Sequence, residues 1–154
     1  MIMVGASTKI QNEDKTVVLV SPPSRMMNHY RPPLALMYIS GYLKQKGIKT
    51  QIVDSIMKNE IVRDDSFFLK KNTFLNTIED QTIKNISEID TDVIGITCYT
   101  PEVDEVEHLA KRIKQVKPNA IIVAGGIHPT LYPDDLLGPT SNIDFVVFGE
   151  GEIS

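Results

Sequence analysis

Five short apolar runs recur along the chain, and stripes of hydrophobic residues at spacings of three and four fill most of the intervals between them. The runs are Thr16 to Val20, Thr50 to Val53, Asp92 to Thr97, Ala120 up to the pair Gly125-Gly126, and Asp144 to Phe148. Successive residues such as Ile121, Ile122 and Val123 leave no polar face for water, so the runs predict strands covered on both sides, as in a parallel sheet between helices. The first run stops at Ser21-Pro22-Pro23, because consecutive prolines have no N–H to give to a ladder.

Between the first two runs, Leu34, Met37, Tyr38, Gly41, Tyr42 and Leu43 fall at helical spacing. Pro33 suits the first turn of that helix, and Lys44-Gln45-Lys46-Gly47 closes it. Between the second and third, a charged loop from Ser55 leads into Phe67, Phe68, Leu69, Phe74, Leu75, Ile78, Ile83 and Ile86. Their periodicity predicts a helix over about Thr73 to Ile89. The third helix carries Val103, Val106, Leu109, Ala110, Ile113 and Val116 on one stripe and stops before Pro118. A short helix is expected at Pro133 to Leu137. Alternating strands and helices imply right-handed crossovers, hence an α/β, flavodoxin-like (Rossmann-like) three-layer sandwich. Its sheet would have five parallel strands in the order 2-1-3-4-5. Residues 1–15 lack periodicity and read as a loose arm before one domain, 16–154.

Composition narrows the function. The chain has 154 residues, 42% hydrophobic and 23% charged, with a net charge of -4. Those values fit an ordinary globular domain and give no basic surface for nucleic acid and no membrane patch. No run reaches the length of a membrane span and the N-terminus has no signal-peptide pattern, so a cytoplasmic location is expected. The single cysteine, Cys98, cannot form an internal disulfide or hold an iron–sulfur cluster by itself.

In such a fold ligands bind at the carboxyl ends of the strands. That edge collects Ser21 to Arg31, Asp54 to Met57, Cys98 to Pro101, Gly125 to Tyr132 and Gly149 to Glu152. A phosphate cradle needs inward-pointing N–H groups on a glycine-rich loop, but the first loop offers prolines and no GxGxxG or GxxxxGK follows any strand. A phosphorelay receiver would need an acceptor aspartate where the third strand ends, and Thr97-Cys98-Tyr99-Thr100 stands there. A large, flat, mostly neutral ligand suits a floor of prolines, glycines and small hydroxyls.

Several segments together carry a resemblance: Val20-Ser21-Pro22-Pro23; Arg31-Pro32-Pro33-Leu34-Ala35-Leu36 with Tyr38-Ile39-Ser40-Gly41-Tyr42-Leu43 and Gly47; Asp92 to Thr97; Gly125-Gly126-Ile127-His128-Pro129-Thr130; and Asp144 to Glu152. From about Thr16 to Glu152 the chain resembles the cobalamin-binding domain that precedes the radical SAM domain in B12-dependent radical SAM enzymes. That group includes class B methyltransferases and the anaerobic magnesium-protoporphyrin IX monomethyl ester cyclase. The resemblance implies cobalamin at the sheet edge, contacted by Ser21, Pro22, Pro23, Leu34, Thr97, Cys98, Tyr99, Thr100, Gly125, Gly126, His128, Gly149 and Glu150. It also implies a 4Fe-4S cluster and S-adenosylmethionine only in a C-terminal radical SAM domain in cis, before which this chain stops, so that the fragment alone carries no catalytic residue.

The cobalt-ligating DxHxxG motif of other cobalamin domains is absent: His29 is in the right loop, but Met27 and Pro32 replace the aspartate and glycine. The resemblance then implies no protein ligand on the metal, and His29 reads as a solvated loop residue, with cobalt ligation as the lesser alternative. His128 either lines the pocket or is a turn histidine bonded to nearby backbone, and His108 reads as a surface residue. Cys98 is either a small buried hydrophobe or a reactive thiol. Ser21, Thr97 and Thr100 either bond corrin amides or cap locally. Glu150 and Glu152 either bond the ligand, meet the following domain or are disordered. Competing functions are a flavodoxin-like interaction domain without a cofactor, a stand-alone corrinoid carrier, and a small-molecule enzyme built on Cys98 or His128.

Overall fold

The structure, a computed structural model, describes residues 16–24, 32–55 and 71–151. The expected arm 1–15, His29, the run Phe67 to Leu69 and Glu152 lie outside the described residues, as do the side chains of Phe74 and Leu75. The elements run β1 (Val17–Ser21), α1 (Leu34–Gln45), β2 (Thr50–Asp54), α2 (Lys71–Ser87), β3 (Val93–Thr97), α3 (Val103–Val116), β4 (Ile121–Gly125), α4 (Ile127–Leu131) and β5 (Phe145–Val146). Short 3-10 turns at Thr100–Glu102 and Pro133–Leu136 precede α3 and follow α4. The sheet is parallel throughout, in the order β2-β1-β3-β4-β5. Among the described residues, no helix is long and apolar enough to cross a membrane.

Register divides the strand residues into two faces. Val53, Val20, Ile96, Ala124 and Val146 lie in one row across all five strands, with Val18, Ile94 and Ile122 in a parallel row. These rows form the closed core with Ile83 and Ile86 of α2 and Val106, Leu109, Ala110 and Ile113 of α3. The other face belongs to α1, as the Ser40–Thr50 hydroxyl contact of 2.6 Å shows. There α1 lies over β1 and β2, burying Leu36 and Ser40. The residues of β3 and β4 on that face, Val93, Gly95, Thr97, Ile121, Val123 and Gly125, are only half-buried.

Three elements differ from the sequence reading. The fifth strand is two residues long where Asp144 to Phe148 was expected, although ladder bonds from Asp144 N to Ile122 O and from Val147 N to Ala124 O flank it. As an edge strand it pairs on one side only. The helix expected at Pro133 to Leu137 is a single 3-10 turn, and α4 before it is unforeseen. Pro129 is admitted to α4 because the first turn of a helix leaves N–H groups without an intrahelical acceptor.

One side-chain network closes the lower part of the sheet. The Asp144 carboxylate accepts the Ile122 N–H at 2.7 Å and the Lys114 ammonium at 2.7 Å, while Lys114 also donates to Ala120 O at 2.8 Å. Asp144→Ala strands a buried amide and frees the lysine, so about 2 kcal/mol of stability should go. Urea denaturation reads this as a lower midpoint, and an unchanged midpoint would show that water replaces the carboxylate.

Candidate functional site at the carboxyl edge of the sheet

The first loop turns inward as soon as β1 ends. Ser21 is half-buried and its carbonyl accepts Ser55 N–H, whereas Pro22, Pro23 and Ser24 are buried. The prolines therefore stand as wall beneath the surface. Ser24 donates to the carboxylate of Glu102, which also accepts the Tyr99 N–H. Burial pushes the Glu102 carboxyl above its ordinary value, against the lowering pull of those two bonds. Glu102 thus ties the loop after β1 to the one after β3, across the point where the strand order reverses. In the sequence it looks like an acid at a helix N-terminus, and nothing local signals its burial.

Cys98, at the end of β3, is 0% exposed and its thiol is pushed up to about 12 by burial, helped by the charges of Glu102, Glu107 and Glu105. This is the setting of a small buried hydrophobe, in which burial disfavours the thiolate. Tyr99 and Thr100 beyond it are exposed.

The two glycines where β4 ends have different settings. A Cβ on Gly125 would meet nothing closer than Val147 O at 3.9 Å, so there is room above it. Gly126 has φ 112°, and a Cβ there would lie 2.9 Å from Cys98 O and 3.1 Å from Thr97 Oγ1. Its own turn is thus wedged against β3. His128 follows in α4, its N–H donating to Cys98 O. It is 3% exposed, beside Tyr132 and with Nε2 3.7 Å from the Asp135 carboxylate. Neither ring nitrogen has a hydrogen-bond partner among the described residues. The bond to Cys98 comes from its backbone, not its ring, and the side chain lies beneath the surface. His108 is exposed and within 3.0 Å of the Glu79 carboxylate.

Thr130, a residue of the Gly-Gly-Ile-His-Pro-Thr stretch not singled out in the sequence, donates from Oγ1 to Gly126 O at 2.7 Å and accepts the Gly149 N–H at 3.0 Å. Gly149 and Glu150 are exposed, the former with φ 81°.

Large apolar side chains stand out from this edge: Leu34 (60% exposed), Met37 and Tyr38 (72%) from the first turns of α1, Tyr99 after β3, Ile127 and Leu131 from α4, and Phe148 after β5. A cleft of about 400 Å³ lies elsewhere, between α3 and the 135–143 segment, lined by Asp104, Glu107, His108 and Asp135 among others. None of the expected site residues lines it. Among the described residues, no three His, Cys, Asp or Glu side chains gather into a metal-binding set.

The family model for the B12 binding domain matches residues 27–154. Cytidylyl-2-hydroxyethylphosphonate methyltransferase of Streptomyces wedmorensis is 31% identical over 90% of this chain and 27% of its own. Anaerobic magnesium-protoporphyrin IX monomethyl ester cyclase of Rubrivivax gelatinosus is 31% identical over 79% of this chain and 19% of its own. The cobalamin-dependent radical SAM methyltransferase TokK of Streptomyces tokunonensis is 30% identical over 43% of this chain and 10% of its own. The chain thus spans about a quarter or less of the length of these relatives. With most of its residues matched by that one model, the chain belongs to the B12 binding domain family.

Proposed function

We propose that this chain holds cobalamin at the carboxyl edge of its sheet, as the corrinoid module of a larger B12-dependent radical SAM methyltransferase or cyclase. The observation that carries this reading is the set of large apolar and aromatic side chains standing exposed at that edge, where a folded domain gains nothing by leaving them bare. A broad, largely neutral ring is the ligand they suit, with Leu34, Tyr38, Tyr99 and Phe148 as its contacts and Thr100 exposed next to Tyr99 in the chain.

The residues fit the group in a second way. Gly125 and Thr97 are register neighbours on the half-covered face, and a Cβ on Gly125 would make only ordinary contacts, the nearest with Val147 at 3.9 Å. Glycine there lets a bulky ligand come close to the backbone. His128, turned toward Asp135, is not displayed as a cobalt ligand, and Met27 and Pro32 break the DxHxxG pattern. Cobalamin would therefore be held by this chain without a protein ligand on the metal. When bound, it supplies cobalt-centred methyl-carrier chemistry. The 4Fe-4S cluster and S-adenosylmethionine belong to a radical SAM domain in cis, in keeping with the greater length and the names of the relatives. A cytoplasmic location goes with that assignment.

Incubation with hydroxocobalamin followed by gel filtration should carry corrin absorbance through with the protein. Gly125→Val should keep the thermal midpoint and weaken cobalamin binding by on the order of tenfold or more, because its side chain occupies the approach. Protein that emerges free of corrin would sink the reading and favour an interaction domain without a cofactor.

A further inference from the structure

The loop after β5 leaves the sheet early. Its last ladder bond is Val147 N to Ala124 O, and Phe148, Gly149 and Glu150 beyond it are exposed. Thr130 Oγ1 reaches across to this loop and accepts the Gly149 N–H at 3.0 Å, while donating its own proton to Gly126 O at 2.7 Å. A hydroxyl is the side-chain group that can serve an amide donor and a carbonyl acceptor at once in so small a volume. The bond to Gly126 alone would be the common back-bond of a threonine to the carbonyl four residues earlier. The bond to Gly149, which lies nineteen residues further on, has no such local explanation.

The two glycines joined in this way are both held at positive φ, 112° and 81°. Gly126 lies so close to the neighbouring strand end that a Cβ on it would come within 2.9 Å of Cys98 O and 3.1 Å of Thr97 Oγ1. Thr130 therefore extends a fixed point at the β3–β4 junction out to the β5 loop. The Gly149 amide is committed to this bond, which leaves ligand contact on this loop to its neighbours Phe148 and Glu150.

We propose that Thr130 is a positioning residue for cobalamin, setting the β5 loop at the height where Phe148 and Glu150 meet the corrin. This rests on the cobalamin reading above.

The test titrates hydroxocobalamin into the wild type, Thr130→Val and Thr130→Ser, with amide hydrogen exchange at Gly149 and thermal midpoints measured on the same samples. Valine keeps the shape and loses both bonds. It should leave the midpoint nearly unchanged, abolish protection at Gly149 and weaken binding by on the order of tenfold. Serine should restore protection and affinity together, which a purely structural role for the methyl group would not give. Thr130→Ala, which removes the hydroxyl without adding bulk, decides the matter if the valine variant does not fold. A wild type that binds and a valine variant that binds equally well, with Gly149 deprotected, overturns the positioning role alone. A wild type that binds no hydroxocobalamin overturns the cobalamin reading and the role with it.

Discussion

Gly126→Ala should lower the thermal midpoint by about 6 to 12 °C. The backbone there sits at φ 112° and ψ -163°, a region that is essentially reserved for glycine, and forcing another residue into it costs about 1–3 kcal/mol. The added Cβ would also lie 2.9 Å from Cys98 O and 3.2 Å from Cys98 N. Both atoms are backbone, in a residue tied to β4 by the bond from Cys98 N to Gly125 O, so neither can rotate away as a side chain would. Taking the total as about 3 kcal/mol, a domain of this size loses about 2–4 °C for each. Scanning calorimetry checks it, and a shift below about 2 °C would mean that the turn is remade at little cost. The preceding glycine is the internal control: alanine at Gly125 meets ordinary contacts and should leave the midpoint nearly where it was.

Cys98 should react with a disulfide reagent at pH 8 about a thousandfold more slowly in the native protein than in urea. Burial pushes its thiol from an ordinary value of 9.0 up to about 12, and those three decades set the loss of thiolate before any effect of access. Burial comes first among the causes, followed by the charges of Glu102, Glu107 and Glu105. The same shift has a sign for stability. The folded state resists losing this proton, so the unfolded state is favoured once the pH passes its own value. The contribution is complete below about 9 and is lost progressively as the pH rises toward about 12. Over pH 8 to 11 the urea midpoint of the wild type should therefore fall more steeply than that of Cys98→Ala. Rapid native labelling would revive the reactive-thiol reading, and parallel pH profiles would show that the Cys98 proton is not linked to folding.

The strand order and the edge that carries the site follow from signals within a few residues of one another. Ile121-Ile122-Val123 has no polar alternate, and Pro22-Pro23 and Gly125-Gly126 mark where strands end. For Cys98 the sequence left a buried hydrophobe and a reactive thiol both open, and its burial favours the first. What the sequence did not yield depends on distant partners. The Thr130 hydroxyl is defined by Gly149, and the burial of Glu102 by Ser24 from a different strand end. The inward turn of His128 toward Asp135 depends on how α4 and the following 3-10 turn fold back, and α4 itself is too short to leave a periodic trace. Pro22 and Pro23 were legible as strand breakers but not as buried wall, since exposure is decided by what packs over them.

The unequal covering of the two sheet faces separates the residues that keep the domain folded from those free to diversify. Val18, Val20, Ile94, Ile96 and Ile122 are sealed by α2 and α3, and truncating one of them removes about 1–4 kcal/mol. Val123 and its neighbours on the α1 side are only half-covered, so exchanges there draw far less on the folding reserve. A lineage could therefore reshape the half-covered side repeatedly while one unchanged keel of α2, α3 and their strand rows kept the domain upright.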